Sequence, residues 1–239
     1  MEKSIYTDVS TKRDESTPFY RQLMVAVDFS KSSTAALAFA EDVAMVYGSE
    51  LVLAHVVSVV VASSPDMGTI YIKPEVGQAI KEDMDKLANQ LIQRGIKART
   101  ILEEGLVADI LEEIVQREKP DLLVAGTHGA HGLERLIIGS TAEAILRKVT
   151  CPVLTIGPSC KRITRKNLAF QTILYATALQ HPSEAALQYA ASLTRAMHAH
   201  VELVHAIEEV HDMSRREVDI ELQSQVDMLA DALRGSDGK

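Results

Sequence analysis

DLLVAGTHGAHGLERLIIGSTAEAILRKVTCPVLTIGP, residues 121–158, decides how the rest of the chain is read. It has the form strand, glycine loop, helix, strand. Residues 122–125 are an apolar run of the kind a parallel strand buried on both faces shows. Gly126, Gly129, Gly132 and Gly139 follow, four of the chain's twelve glycines within fourteen residues. Glycine permits positive φ and lets a ligand approach the backbone closely. Ser140 then opens a helix predicted over residues 141–148. A loop that runs from a strand tip into a helix N-terminus is a ready anion site, because free N–H groups and the positive end of the helix dipole point the same way. Ser140 with Glu143 three residues on also reads as a capping box, which needs no ligand. The loop is neither a Walker A loop nor a GxGxxG fingerprint.

Outward from this stretch, strands and helices alternate. Predicted strands cover residues 23–27, 51–57, 97–102, 121–125 and 152–156. Predicted helices cover residues 31–47, 75–94, 106–117 and 141–148. Ser30 is placed to cap the first helix and Gly48 to close it; Pro120 stops the third. Val76, Ile80, Met84, Leu87 and Leu91 form the apolar stripe of the second helix. Such alternation makes βαβ units and a doubly wound parallel sheet, with its ligand crevice at the carboxyl ends of the strands. The expected fold class is therefore α/β. Residues 58–73 are irregular.

The spacing Gly126, two residues, Gly129, nine residues, Gly139-Ser140 resembles the nucleotide loop of the universal stress protein family, G-x2-G-x9-G-(S/T). The resemblance extends to LMVAVDFS with Asp28 at the acidic position, to LVLAHVV at residues 51–57, and to CPVLTIGP, spanning about residues 20–158. It implies a five-stranded sheet of order 3-2-1-4-5, adenine nucleotide hydrolase-like, and ATP with magnesium or manganese as cofactor. Carried over position by position, it implies that Ala26, Val27 and Val56 line an adenine pocket. Ala125 and His128 become further loop contacts. Gly126 and Gly129 let the backbone close around ribose and phosphates, and Gly139, Ser140 and Thr141 hold phosphate oxygens. Asp28 accepts a ribose hydroxyl or helps hold the metal, since magnesium commonly bridges one carboxylate and the phosphates; alternatively it merely caps the first helix.

Beyond a polar linker at residues 160–168 the pattern restarts. TILYATAL at residues 172–179 repeats LMVAVDFS, a helix at residues 183–197 repeats the first helix with Ser183 as cap, and VELVHAI at residues 201–207 repeats LVLAHVV. One gap reconciles the offsets, 149 at Thr177 against Asp28 and 150 at His205 against His55. A further helix covers residues 214–233. The domain reading is a tail at 1–18, a universal stress protein domain at 19–159, the linker, and a truncated, degenerate α/β repeat at 169–239. The repeat has no glycine loop and Thr177 in place of Asp28, so no nucleotide is expected there; its unpaired strand edge is expected to dock on the first domain or on another chain.

Other residues carry quieter readings. His55 and His205, at repeated strand positions, read as structural. His198 and His200 lack a third partner of obvious spacing for a metal. Arg135 lies in the loop, but no spacing assigns it to phosphate. No nucleophile–base pair is evident, so bound ATP is expected to turn over slowly or not at all. An enzyme cleaving ATP at its α-phosphate would want a Ser-Gly-Gly type of loop after the first strand, where this chain has Asp28-Phe29-Ser30-Lys31. A module of the same fold without a ligand is the remaining alternative.

Composition sets the outer bounds. The 239 residues are 46% hydrophobic and carry a net charge of −8. Without a basic face, nucleic acid is not an expected partner. Two cysteines make no disulfide framework, and with no signal-peptide core or membrane span in the sequence, a soluble cytoplasmic protein is expected. A homodimer or another protein joined through strand edges is the expected partnership.

Overall fold

The structure is a computed structural model that describes residues 20–58, 74–127, 139–157, 172–176, 183–197, 199–204 and 215–234. It divides into two units, Pro18–Arg165 and a second that takes in Lys166–Lys239. The division falls inside the stretch read as a linker. The tail, that linker, Thr177, His205, His198 and Arg135 lie outside the described residues.

In the first unit, β1 (Gln22–Ala26), β2 (Glu50–Ser58), β3 (Ala98–Gly105), β4 (Leu122–Gly126) and β5 (Val153–Ile156) form one sheet in the order β3-β2-β1-β4-β5. All four pairings are parallel. α1 (Lys31–Tyr47), α2 (Pro74–Gln93), α3 (Val107–Glu118) and α4 (Ser140–Lys148) supply the crossovers. This is the doubly wound order the resemblance implied.

Strand alternation divides the core in two. Met24, Val52, Ala54, Val56 and Leu123 pack against Leu111, Ile114 and Val115 of α3 and Ile145 of α4. Their neighbours Leu23, Val25, Leu51, Leu53, Leu122 and Val124 are equally buried and face the opposite way. There α1 lies on β1 and β4, and α2 lies on β2 and β3. Near-continuous apolar strands are what burial on both faces demands.

Local chemistry sets the element ends. Ser30 caps α1, its hydroxyl accepting from the Ser33 amide at 3.1 Å. Gly48, at φ 71°, closes the helix by donating to the Ala44 carbonyl. α3 stops one residue before Pro120, on Lys119 in the left-handed region at φ 50°. At the amino end of the sheet, Asp121 Oδ2 accepts from the amides of Arg21 (2.7 Å) and Gln22 (2.9 Å), pinning the start of β1 to that of β4.

The second unit holds β6 (Thr172–Ala176), α5 (Glu184–Met197), β7 (His200–Val204) and α6 (Arg215–Arg234), with β6 and β7 paired in parallel. Ser183 Oγ accepts from the Ala186 amide at 3.2 Å, the cap expected of it. Tyr175, Leu187, Ala190 and Ala191 form its core, with Val201 and Leu203 packed alongside. β6 pairs Thr172 with His200 where β1 pairs Gln22 with Glu50, an offset of 150 on both strands (172 − 22 and 200 − 50), held through all five pairs. The ladders match without the one-residue gap read from the sequence.

Candidate functional site

Neighbouring strands β1 and β4 deliver their carboxyl ends side by side, Val25 opposite Val124. Past that point the chain leaves the sheet in two turns that share a residue. The Asp28 amide donates to Ser33 Oγ at 3.3 Å, and the Ser30 amide donates to Asp28 Oδ1 at 3.0 Å. The same stretch of α1 abuts β4: a Cβ on Gly126 would stand 2.7 Å from Ser32 Cβ and 2.8 Å from both the Ser32 carbonyl carbon and the Ser33 nitrogen. Ser33 therefore touches the acidic turn on one side and the start of the glycine stretch on the other. Asp28 and Gly126, far apart in sequence, thus both lie against Ser33. Asp28 is exposed and does not cap α1, which is Ser30's role; its Oδ1 closes a local turn, leaving Oδ2 for solvent or a ligand.

The other end of the glycine stretch returns to the same place. The Gly139 amide donates to the Thr127 carbonyl at 2.8 Å, and the Thr127 amide donates to Ile156 of β5. α4 begins directly afterwards. Its N-cap is Gly139, with no side-chain cap, so Ser140 is the first helical residue and the capping box read from Ser140 and Glu143 does not form. The amides of Ser140, Thr141 and Ala142 precede the first intrahelical bond, which Glu143 makes to Gly139. They face out from the positive end of a helix whose first-turn hydroxyls, Ser140 and Thr141, are exposed.

Gly126 and Gly139 meet different local demands. Gly139 has φ −64° and ψ 151°, a conformation open to any residue. Gly126 is needed because a side chain would strike α1, so its missing Cβ serves helix–strand packing before any ligand arrives. Among the described non-glycine residues at this rim, Phe29 takes a positive φ, 60°. His128 and Gly129 lie outside the described residues.

The expected adenine-pocket residues separate by face. Ala26 and Val56 lie on the α3–α4 side of the sheet, where both pack into one cluster. Ala125, buried two residues past Leu123, shares that face. Val27 points the opposite way. It contributes backbone, its amide donating to Ala54 at 2.8 Å and its carbonyl accepting from His55 Nδ1 at 2.6 Å. His55, Phe29 and Ser33 were not singled out as site residues from the sequence. Two serines after a cap, and a histidine near the end of a buried strand, were the signals available.

No group of three or more His, Cys, Asp or Glu side chains able to hold a metal is found among the described residues. A divalent cation at Asp28 would thus share one carboxylate with a ligand's own oxygens. No helix among the described residues is long and apolar enough to cross a membrane. Cys151 is half-buried, and burial pushes its thiol up from the ordinary range, away from the thiolate a reactive cysteine needs.

The sheet is an open α/β sheet whose crevice lies at the carboxyl ends of its strands, where the N-termini of α1 and α4 gather. The sequence pattern of the universal stress protein family matches residues 19–157, and the chain belongs to that family. Universal stress protein MJ0531 of Methanocaldococcus jannaschii is 31% identical over 147 residues, 57% of this chain and 82% of that one. A solved universal stress protein from Archaeoglobus fulgidus DSM 4304 shares the fold over 88% of this chain and 74% of its own, with TM-score 0.61 and 20% identity. More distant solved members include one in complex with cAMP (TM-score 0.44, 22% identity over 59% of this chain and 98% of its own) and one from Archaeoglobus fulgidus in complex with dAMP (TM-score 0.44, 21% identity over 58% and 98%).

Proposed function

We propose that this universal stress protein binds an adenine nucleotide, ATP with magnesium or manganese, across the carboxyl ends of β1, β2 and β4, and acts as a stress-response regulator or sensor. The observation that carries this reading is the junction at Ser33, which joins the Asp28 turn to Gly126 within one residue of the strand end that anchors uncapped α4. In this reading the phosphates lie on the amides and hydroxyls of Ser140 and Thr141 at the positive helix end. Asp28 Oδ2 takes a ribose hydroxyl or a share of the metal, and the base rests on the side of the sheet that carries Ala26, Val56 and Ala125. His128, Gly129 and Gly139 complete the loop. Among the described residues, the groups offered to the ligand are amides, hydroxyls and one carboxylate, the kind that binds a nucleotide. The proposed protein partner is a second copy or another chain joined through a strand edge.

The test is mass spectrometry of nucleotide carried through purification, followed by calorimetry with Mg-ATP. A micromolar site corresponds to about 8 kcal/mol. Losing one charge-assisted hydrogen bond costs about 1.5–3 kcal/mol, so Asp28→Ala should weaken binding at least about tenfold, as should Gly129→Val by obstruction. A protein that purifies empty and gives no heat with Mg-ATP would instead be an interaction module of the same fold.

A further inference from the structure

We propose that His55 is a positioning residue for the ligand turn: its ring, held against Phe29, fixes the carbonyl of Val27 and through it the carboxylate of Asp28. The proposal rests on the nucleotide reading for its affinity readout but stands on its own geometry. The β1–β2 ladder ends at Ala26 opposite Ala54. One residue on, the Val27 carbonyl accepts from a side chain of the neighbouring strand, His55 Nδ1, at 2.6 Å. A carbonyl can only accept, so Nδ1 carries the proton, and in the neutral ring Nε2 is left as the acceptor.

Among the described residues, the backbone of the next two finds few other partners. Asp28 is exposed, and its backbone is fixed by one long bond to Ser33 Oγ. Phe29 then takes φ 60°, a left-handed conformation that is an outlier for a bulky residue. Strain of this kind persists only where the surroundings over-determine it. Phe29 is 45% exposed, so burial of its ring is not what holds it there. Its described ring partner is His55, with centroids 5.4 Å apart and planes inclined by 47°. The imidazole thus grips the turn twice, by hydrogen bond before Asp28 and by ring contact after it. The residue between those two grips is the one whose carboxylate faces the proposed ligand.

Three readouts on the full chain test this. Long-range proton–nitrogen correlation should show the Nδ1-protonated ring at His55; a neutral ring protonated at Nε2 overturns the proposal. His55→Phe keeps an aromatic ring beside Phe29 and deletes the donor, whereas His55→Asn places an amide N–H where Nδ1 stands. With melting temperatures matched, His55→Phe should weaken Mg-ATP binding about two- to tenfold, the worth of one ordinary hydrogen bond, and His55→Asn should restore most of it. Equal affinities for wild type and His55→Phe, or no recovery in His55→Asn, overturn the proposal. Amide exchange at Ser30, whose N–H rests on Asp28 Oδ1, should quicken in His55→Phe with no nucleotide present; unchanged exchange counts against positioning. If wild type binds no Mg-ATP, the nucleotide reading falls while the ring proton and the Ser30 amide still decide this one. Should His55→Phe not fold, Phe29→Asn accepts the left-handed φ without the ring and should quicken Ser30 exchange in the same sense.

Discussion

β1-α1-β2-α2 and β6-α5-β7-α6 are two realisations of one arrangement, and they differ in what surrounds them. Their strands pair in parallel at an identical register, 150 residues apart. In the first, β1 has β4 on its free edge, and helices α3 and α4 cover the face that carries Met24. In the second, among the described residues, β6 has β7 alone, and the matching face carries exposed Leu174 and Val204. A βαβ unit buries one face with its own crossover helix; the second face and the second edge must come from elsewhere. The candidate site follows the same division, because Gly126, Thr127 and α4 belong to the part for which the second unit shows no counterpart among the described residues.

The largest effect expected from this difference is at one matched pair. Met24 and Leu174 hold the same ladder position (24 + 150), at 0% and 65% exposure. Met24→Ala should cost about 2–5 kcal/mol in chemical denaturation, the range for opening a cavity in a packed core. Leu174→Ala should stay within about 0.5 kcal/mol. A loss at Leu174 as large as that at Met24 would mean that in solution something covers the β6–β7 face.

Gly126 comes next. An alanine there must displace the backbone of α1 at Ser32 and Ser33, because the new methyl would sit 2.8 Å from backbone atoms. Gly126→Ala should cost about 1–3 kcal/mol, as overpacking does, and should weaken any nucleotide binding by parting the Asp28 turn from Thr127. Full stability with weakened binding would show α1 yielding at the site alone. Full stability with full binding would remove Ser33 as the hinge between the two segments.

Much of the first unit was legible in the sequence because burial on both faces leaves long apolar runs. The bounds of α1 were read to the residue, and its serine and glycine ends are chemical signals independent of tertiary context. β3 was read as ending at Leu102 but continues through Glu103 and Glu104 to Gly105. It is an edge strand, where charge is tolerated, and Arg117 meets Glu103 at 2.6 Å. The convergence of Asp28 with the glycine stretch followed from strand order. How the two meet did not. Gly126 was read for a ligand, and nothing in a string of residues shows the helix that is also pressed against it. Ser140 looked like a cap, and only coordinates show the helix starting one residue earlier. The left-handed Phe29 had no signal at all, since that conformation is ordinarily announced by Gly, Asn or Asp.

The smallest effect concerns a further difference between the paired units. Glu50 opens β2 where His200 opens β7. Glu50 accepts from Arg99 Nε at 3.0 Å, and Arg99 Nη2 also donates to Glu118 of α3 at 2.6 Å. Arg117 Nε adds a third contact, to Glu118 at 3.1 Å. Hydrogen bonds from Arg99 first and Arg117 second hold the Glu118 carboxyl below the usual glutamate range. A carboxyl that is more acidic folded than unfolded stabilises the fold fully above its unfolded value, about 4.3. That contribution fades as pH falls below this point and through the lower folded value. Glu118→Gln should therefore cost at most about 1 kcal/mol near neutral pH, the scale of solvent-accessible ion pairs. The gap between variant and wild type should close as acid titrates Glu118, and molar salt should narrow it at neutral pH. A gap that persists unchanged into acid would show that the loss does not come from the Glu118 charge, since glutamine keeps the same stem. The fit of the Glu118 oxygens to Arg99 and Arg117, rather than their charge, would then be what joins α3 to β3.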